Sequence, residues 1–437
     1  MQDAEILIIG AGMAGLTAAR ALAERGKRVL VVEARDRVGG RVLSHSVQGD
    51  WRGAERQMVE LGAEFVHGRP PELWALIAEC GAEAIERDGA MLSEEWDGEL
   101  AEDDPQDDSM LAPLKQLEDF AGEDKSFAEW LAESDVPEDQ RGALLGYVQG
   151  FNAADARRIG IKGLGAQQKA EDAIEGERAW HLCGGYQQLA EYLAARVKEL
   201  GSEVRLHTEV QAVRWNAGGV EIDTPAGTLR AVQCILTLPL GVLQRVNAGG
   251  IRITPEPAAI GQARRLEMGH AVRFTMMFRE RWWQKSKALD RKKLEQMSFL
   301  FTPQRLPSVW WTTRLENSTL LTGWIGGPHA LALEGRSAGE LGQKACAALA
   351  EVFDMPEAEV RTQLISTHTH DWSHDPFACG AYSYIPAGAM YAPIAMTQPE
   401  LDTLFFAGEH TDTTAHWGTV HAAIRSGLRA AQQALGE

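Results

Sequence analysis

The chain has 437 residues, 45% apolar and 24% charged, which suits two or three packed domains and excludes disorder, collagen or coiled coil as global descriptions. Its 62 Asp and Glu against 43 Lys and Arg leave a formal charge of −19. That field repels nucleic acid and attracts cationic small molecules, or serves solubility alone. The five cysteines, Cys80, Cys183, Cys234, Cys346 and Cys379, show no CxxC spacing, so neither a zinc site nor a disulfide framework is expected. A reducing, cytoplasmic compartment fits. The apolar run 6–9 begins almost at once and is too short for a signal segment, and nothing later approaches a membrane span.

In chain order, residues 5–9 (EILII) read as a buried parallel strand, 13–25 as a helix closed by Gly26, and 28–32 (RVLVV) as a second strand. This βαβ unit of about 30 residues predicts an α/β protein that opens on a doubly wound sheet. Residues 88–114 are dense in acids, from Glu94 to Asp107 and Asp108, with no Lys or Arg between Arg87 and Lys115. The expectation is a solvated loop, with an electrostatic funnel for cations as the sharper alternative. Helical patterns follow to about Lys198, broken at Cys183-Gly184-Gly185. Short strands are expected at 203–207, 211–215, 220–224 and 234–238. A separate sheet should include 273–278 and 320–325, then come a helix at 338–352, a strand at 404–407 and a last helix over 418–435.

Gly10-Ala11-Gly12-Met13-Ala14-Gly15 lies between the first strand and its helix, and Glu33 stands 18 residues beyond Gly15. Gly10 permits the tight turn, Gly12 the approach of a pyrophosphate, and Gly15 close packing of helix on strand. The N–H groups of Met13 and Ala14 face the phosphates and Glu33 the ribose hydroxyls. The continuation Glu33-Ala34-Arg35-Asp36-Arg37-Val38-Gly39-Gly40-Arg41 adds a Gly pair and Arg41, suited to a second pass along the pyrophosphate.

With that segment, four further motifs carry a resemblance: Glu60-Leu61-Gly62-Ala63-Glu64-Phe65-Val66-His67-Gly68, the run 236–243 (LTLPLGVL), Gly380-Ala381-Tyr382-Ser383-Tyr384 and Phe406-Ala407-Gly408-Glu409-His410-Thr411. Together they resemble the flavin-containing amine oxidase family, which includes monoamine and polyamine oxidases and lysine-specific demethylases. The resemblance implies a Rossmann-type (GR2-like) discontinuous FAD domain from 1–75, 178–255 and 371–437. It also implies an α+β substrate domain from 76–177 and 256–370.

Residue by residue, the resemblance places Gly62, Ala63, Glu64, Gly408, Glu409, Thr419 and Val420 at the cofactor, with the last helix end facing the flavin pyrimidine. Val210 matches a backbone contact to adenine, and Trp372 an aromatic beside the isoalloxazine. Ala381 occupies the position where covalent-flavin members carry Cys, and Cys379 is two positions too early, so FAD is expected to be non-covalent. Tyr382 matches one wall of the substrate site. Thr419 replaces the second aromatic, a gap Trp417 can partly fill. Arg273, counted from Gly269, stands where the family usually has Lys near flavin N5. Arg is a permanent cation and a poor proton relay. His67 stands where polyamine oxidases have His in the same context, suited either to hydrogen-bond a substrate nitrogen or to set a pH dependence. His410, His416 and His421 are too widely spaced for a metal site.

The implied reaction is hydride transfer from an amine, polyamines among the candidates, to flavin, with oxygen reoxidising it to give hydrogen peroxide. Alternatives are an L-amino-acid oxidase using Arg273 as carboxylate anchor, a carbon–carbon desaturase, or a non-catalytic flavoprotein.

Overall fold

The computed structural model describes residues 2–49, 56–104, 111–313 and 318–437. Five parallel strands form one sheet in the order Glu203–Arg205, Val29–Val32, Ile6–Ile9, Gln233–Leu236 and Leu404–Phe406. Every residue of Ile6–Ile9 and Val29–Val32 is buried. Ile6, Ile8, Val29 and Val31 enter one core, while Leu7, Ile9, Leu30 and Val32 enter another on the opposite face. A sheet covered on both faces needs apolar residues at every position, which explains the unbroken ILII and VLVV runs. The helices Met13–Glu24, Gln187–Glu199 and Val420–Leu435 cover the first face.

A second, seven-stranded sheet runs Leu364–Thr369, Ala271–Phe278, Leu320–Gly326, Val309–Thr312, Met297–Phe301, Ala90–Glu94 and Leu100–Glu102. The helix Ala338–Val352 packs on it, started by a reciprocal capping box between Ser337 and Glu340. A cluster of helices including Phe127–Glu133, Glu138–Asn152 and Ile161–Asp172 has its own core. Among the described residues no helix is long and apolar enough to cross a membrane.

Two expectations are corrected. The acidic stretch is not simply a loop: Ala90–Glu94 and Leu100–Glu102 form a hairpin whose first strand pairs in parallel with Met297–Phe301. Glu94 is buried there, gripped by the Arg305 guanidinium at 2.6–2.9 Å. Asp107 and Asp108 lie outside the described residues. The second correction concerns the helical stretch before Cys183. Ala179–Leu182 is a strand, paired on one side with Phe65–His67 and on the other with Ala84–Glu86. Each also has a partner far away in sequence, Met297–Phe301 for the hairpin and Phe65–His67 with Ala84–Glu86 for the strand, of which local pattern carries no trace.

Candidate active site

At the end of the first strand the backbone turns on Gly10, at φ 107°. A Cβ on Gly15 would stand 2.0 Å from the Gly10 carbonyl oxygen, so helix and turn touch at a point where only glycine fits. Gly12 is different, because a Cβ there meets nothing within 4 Å. Its glycine is not required by protein packing; it leaves open space over a helix start that no side chain caps. That is the cradle a pyrophosphate needs, with the Met13 and Ala14 N–H groups in the first turn.

Glu33 is buried beside it. One carboxylate oxygen accepts from Ala11 N at 2.8 Å and the other from Arg35 N at 3.0 Å. Thr208 N donates to the Glu33 carbonyl at 2.7 Å, which brings Val210 close by in the chain on a segment outside any strand. Ala34 lies between two anchored neighbours. The Arg35 guanidinium forms a fork with Asp375 at 2.7 and 2.9 Å and covers the Trp372 ring, so it ties two distant segments together. Gly39 N donates to Ala11 O, and Gly40 packs within reach of the Gly12 backbone. The two glycine motifs are thus one structure.

Glu409 joins three more segments. It accepts from Arg41 at 2.9 Å, from the Ser383 hydroxyl at 2.5 Å and from Gly418 N at 2.9 Å. Burial raises its carboxyl, but Arg41 and its neighbour His410 outweigh burial and hold it below the usual range. Both oxygens therefore already serve the protein. Arg41 also reaches the Ala381 carbonyl. Gly408, at φ 140°, donates to Ser426 of the last helix. Thr419 caps that helix by accepting from Ala422 N, and Val420 is its first residue.

Next to this lies a group of aromatic rings. Tyr382 stacks on Trp324, with planes 9° apart and centroids at 6.4 Å, and donates its hydroxyl to Phe151 O at 2.6 Å. Burial pushes that hydroxyl's pKa up, so Tyr382 stays neutral. Gly418 leaves room for the ring, since a Cβ there would be 2.9 Å from it. His67 meets Phe65 and Phe151 edge-on, and burial pushes its pKa down to about 4, so it is uncharged at neutral pH. Trp417 turns away into the core and donates to Asp412 O.

Arg273 is 6% exposed. It donates to Gly62 O at 2.7 Å and forms an ion pair with Glu64, which also accepts from Trp311 Nε1 at 2.9 Å. Burial raises the Glu64 carboxyl; Arg273, His181 and Arg87 more than reverse this. Ala63 N is held by Arg41 O, and Gly62 presses against the same carbonyl. Trp372 donates to Leu61 O at 2.7 Å and touches the Gly62 side. Sequence reasoning missed Trp324, Trp311 and Phe151, because apolar aromatics on strands and helices carry no local mark of which face they turn to a site.

A sequence profile described as flavin containing amine oxidoreductase matches residues 13–435. The chain belongs to this family. It is an FAD-dependent amine oxidoreductase, and the open cradle at Gly12 with Glu33 beside it fits that cofactor. The chain is 26% identical to polyamine oxidase 1 of Oryza sativa subsp. japonica, over 98% of this chain and 96% of that one. It is 23% identical to an amine oxidase (flavin-containing) of Oncorhynchus mykiss, over 99% and 86%. A lysine-specific histone demethylase 1 homolog 2 of Arabidopsis thaliana is 24% identical over 99% of this chain, which spans only 58% of that protein. In fold it is similar to putrescine oxidase bound to putrescine, with TM-score 0.81, 20% identity and full coverage of both chains. The same TM-score, at 22% identity and 99% coverage of each, relates it to cyclohexylamine oxidase from Brevibacterium oxydans.

Proposed function

We propose that the chain oxidises a small amine at the carbon next to nitrogen, giving an imine that water hydrolyses to an aldehyde or ketone. The observation that carries this over an amino-acid oxidase is the Arg273–Glu64 pair. A substrate carboxylate would need Arg273, and Arg273 is already neutralised inside the protein. A neutral amine needs no such anchor. It needs apolar walls, which Tyr382 and Trp324 supply, and a hydrogen-bond acceptor, which uncharged His67 supplies. Bound FAD supplies the two-electron acceptor for the substrate hydride, with molecular oxygen as terminal acceptor and hydrogen peroxide as product. Gly12, Met13, Ala14, Glu33, Gly40 and Arg41 hold its dinucleotide, while Gly62, Trp372, Thr419 and Val420 border its ring.

The proposed division into a cofactor domain (1–75, 178–255, 371–437) and a substrate domain (76–177, 256–370) is supported by the sheets. All five parallel strands come from the first set and all seven strands of the other sheet from the second. Non-covalent attachment of FAD follows from Ala381 at the linkage position and from Cys379, whose thiol is buried and directed at Pro376 O. The five free thiols support a reducing compartment.

The experiment is an anaerobic screen of mono-, di- and polyamines and amino acids, read by bleaching of the flavin spectrum, followed by peroxide release in air. Bleaching by amines and not by amino acids is expected; the reverse pattern sinks the reading. Tyr382→Ala should impair bleaching far more than FAD retention. Acid precipitation should leave the yellow colour in the supernatant.

A further inference from the structure

Amine oxidation makes no use of the acidic hairpin. Its outer strand, Leu100–Glu102, is an edge of the seven-stranded sheet, and charges there keep a foreign strand from adding to it. That role does not account for Trp96. Among the described residues no large apolar side chain is more exposed, at 82%. The ring stands on an ordered turn, in which Gly98 N donates to Glu95 O and Glu99 N to the Asp97 carboxylate, each at 3.0 Å. Glu95, Asp97 and Glu99 flank it and are exposed as well. An indole held out in water between three carboxylates serves neither solubility nor the sheet.

The opposite chemistry lies along the helix Ala338–Val352. Arg336, just before the helix, and Glu340, Lys344 and Ala347 on it recur three or four residues apart. With Arg361 of the helix Glu357–Gln363 they line an open groove of about 260 Å³. Glu340 is engaged in the capping box with Ser337, and Glu357 pairs with Arg361 alone. The groove therefore keeps an excess of positive charge in a chain of net charge −19. Ala347 and the aliphatic stems of the three cations add apolar wall.

Groove and hairpin share one face. Glu351 continues the same helical stripe one turn past Ala347, and Arg305 joins its carboxylate to Glu94 at the root of the hairpin. An acidic, aromatic tip beside a basic groove makes a surface complementary to itself under a two-fold rotation. We propose that two copies of this chain pair through this face, each inserting Trp96 into the groove of the other. The arginine planes receive the indole, and the flanking carboxylates meet the cations. The amine site takes no part, so the inference stands apart from the proposed function.

Sedimentation of the FAD-loaded protein between about 1 and about 100 µM, at low and at high salt, tests the pairing. The expected result is a monomer–dimer equilibrium that moves toward monomer as salt rises. Trp96→Ala should weaken association by about tenfold or more. Glu95→Lys with Glu99→Lys gives a basic tip, and Arg336→Glu with Lys344→Glu an acidic groove; each of these variants alone should be monomeric. Mixed in equal amounts, the two should form a dimer again, because both contacts of the mixed pair then join opposite charges. Flavin content and thermal unfolding close to wild type show that the changes leave the fold intact. A wild type that stays monomeric leaves the groove to a different acidic partner and overturns the proposal. Growth beyond two copies, association indifferent to Trp96→Ala or to either charge variant, or a mixture that stays monomeric overturns it equally.

Discussion

Arg273 and Glu64 are 209 residues apart in sequence and form one buried ion pair. Removing either partner strands a charge in a low-dielectric interior, whereas removing both leaves only a packing change. Arg273→Met should therefore cost about 3–5 kcal/mol, and the double change Arg273→Met with Glu64→Gln should recover most of it. Denaturant unfolding of the FAD-loaded variants measures the cycle. Additive losses would show that the two side chains do not depend on one another. From the sequence, Arg273 read as a departure facing the flavin. Nothing local showed that Glu64, expected at the cofactor, would be its partner.

Between strand and helix, the glycines of the first motif do separate jobs, and the difference is measurable. Gly15→Ala places a methyl against the Gly10 carbonyl, so the apoprotein itself should be destabilised by several kcal/mol. Gly12→Ala has free space around it in the protein alone, and the apoprotein should lose no more than about 1 kcal/mol. Its FAD retention after dialysis should nevertheless fall sharply, because the methyl occupies the cradle. Equal FAD content in Gly12→Ala and wild type would move the pyrophosphate elsewhere. At the other end of the chain, Thr419→Ala removes the cap of the last helix and should cost about 1 kcal/mol in thermal unfolding. Both helices were legible in the sequence, as were their glycines, since turn and capping signals act within a few residues.

Across the whole molecule, buried imidazoles make stability depend on acidity. His410 is fully buried, and neither ring nitrogen has a partner among the described residues. Burial pushes its pKa from 6.5 down to about 4. The unfolded chain therefore binds the proton more tightly. Stability from this group is complete above pH 6.5 and is lost as pH falls toward 4, by about 3 kcal/mol. His67 and His181, at about 4, and His421, at about 2, act in the same direction. Glu60 and Glu171, each raised to about 7 by burial, oppose them, since their share is lost as pH rises toward 7. The four histidines outnumber the two acids, so the melting temperature should fall between pH 6.5 and 4.5, and less steeply in His410→Leu. A flat profile in wild type would show that these rings are hydrated.

The βαβ start, its glycine fingerprint, Glu33 and the helix Ala338–Val352 could be read from the chain alone, because each depends on residues within a few turns of one another. The motifs shared with the amine oxidases also sufficed to name the family and its flavin. The acidic hairpin, the strand Ala179–Leu182 and the Tyr382–Trp324 pair required strands far apart in sequence to find their register.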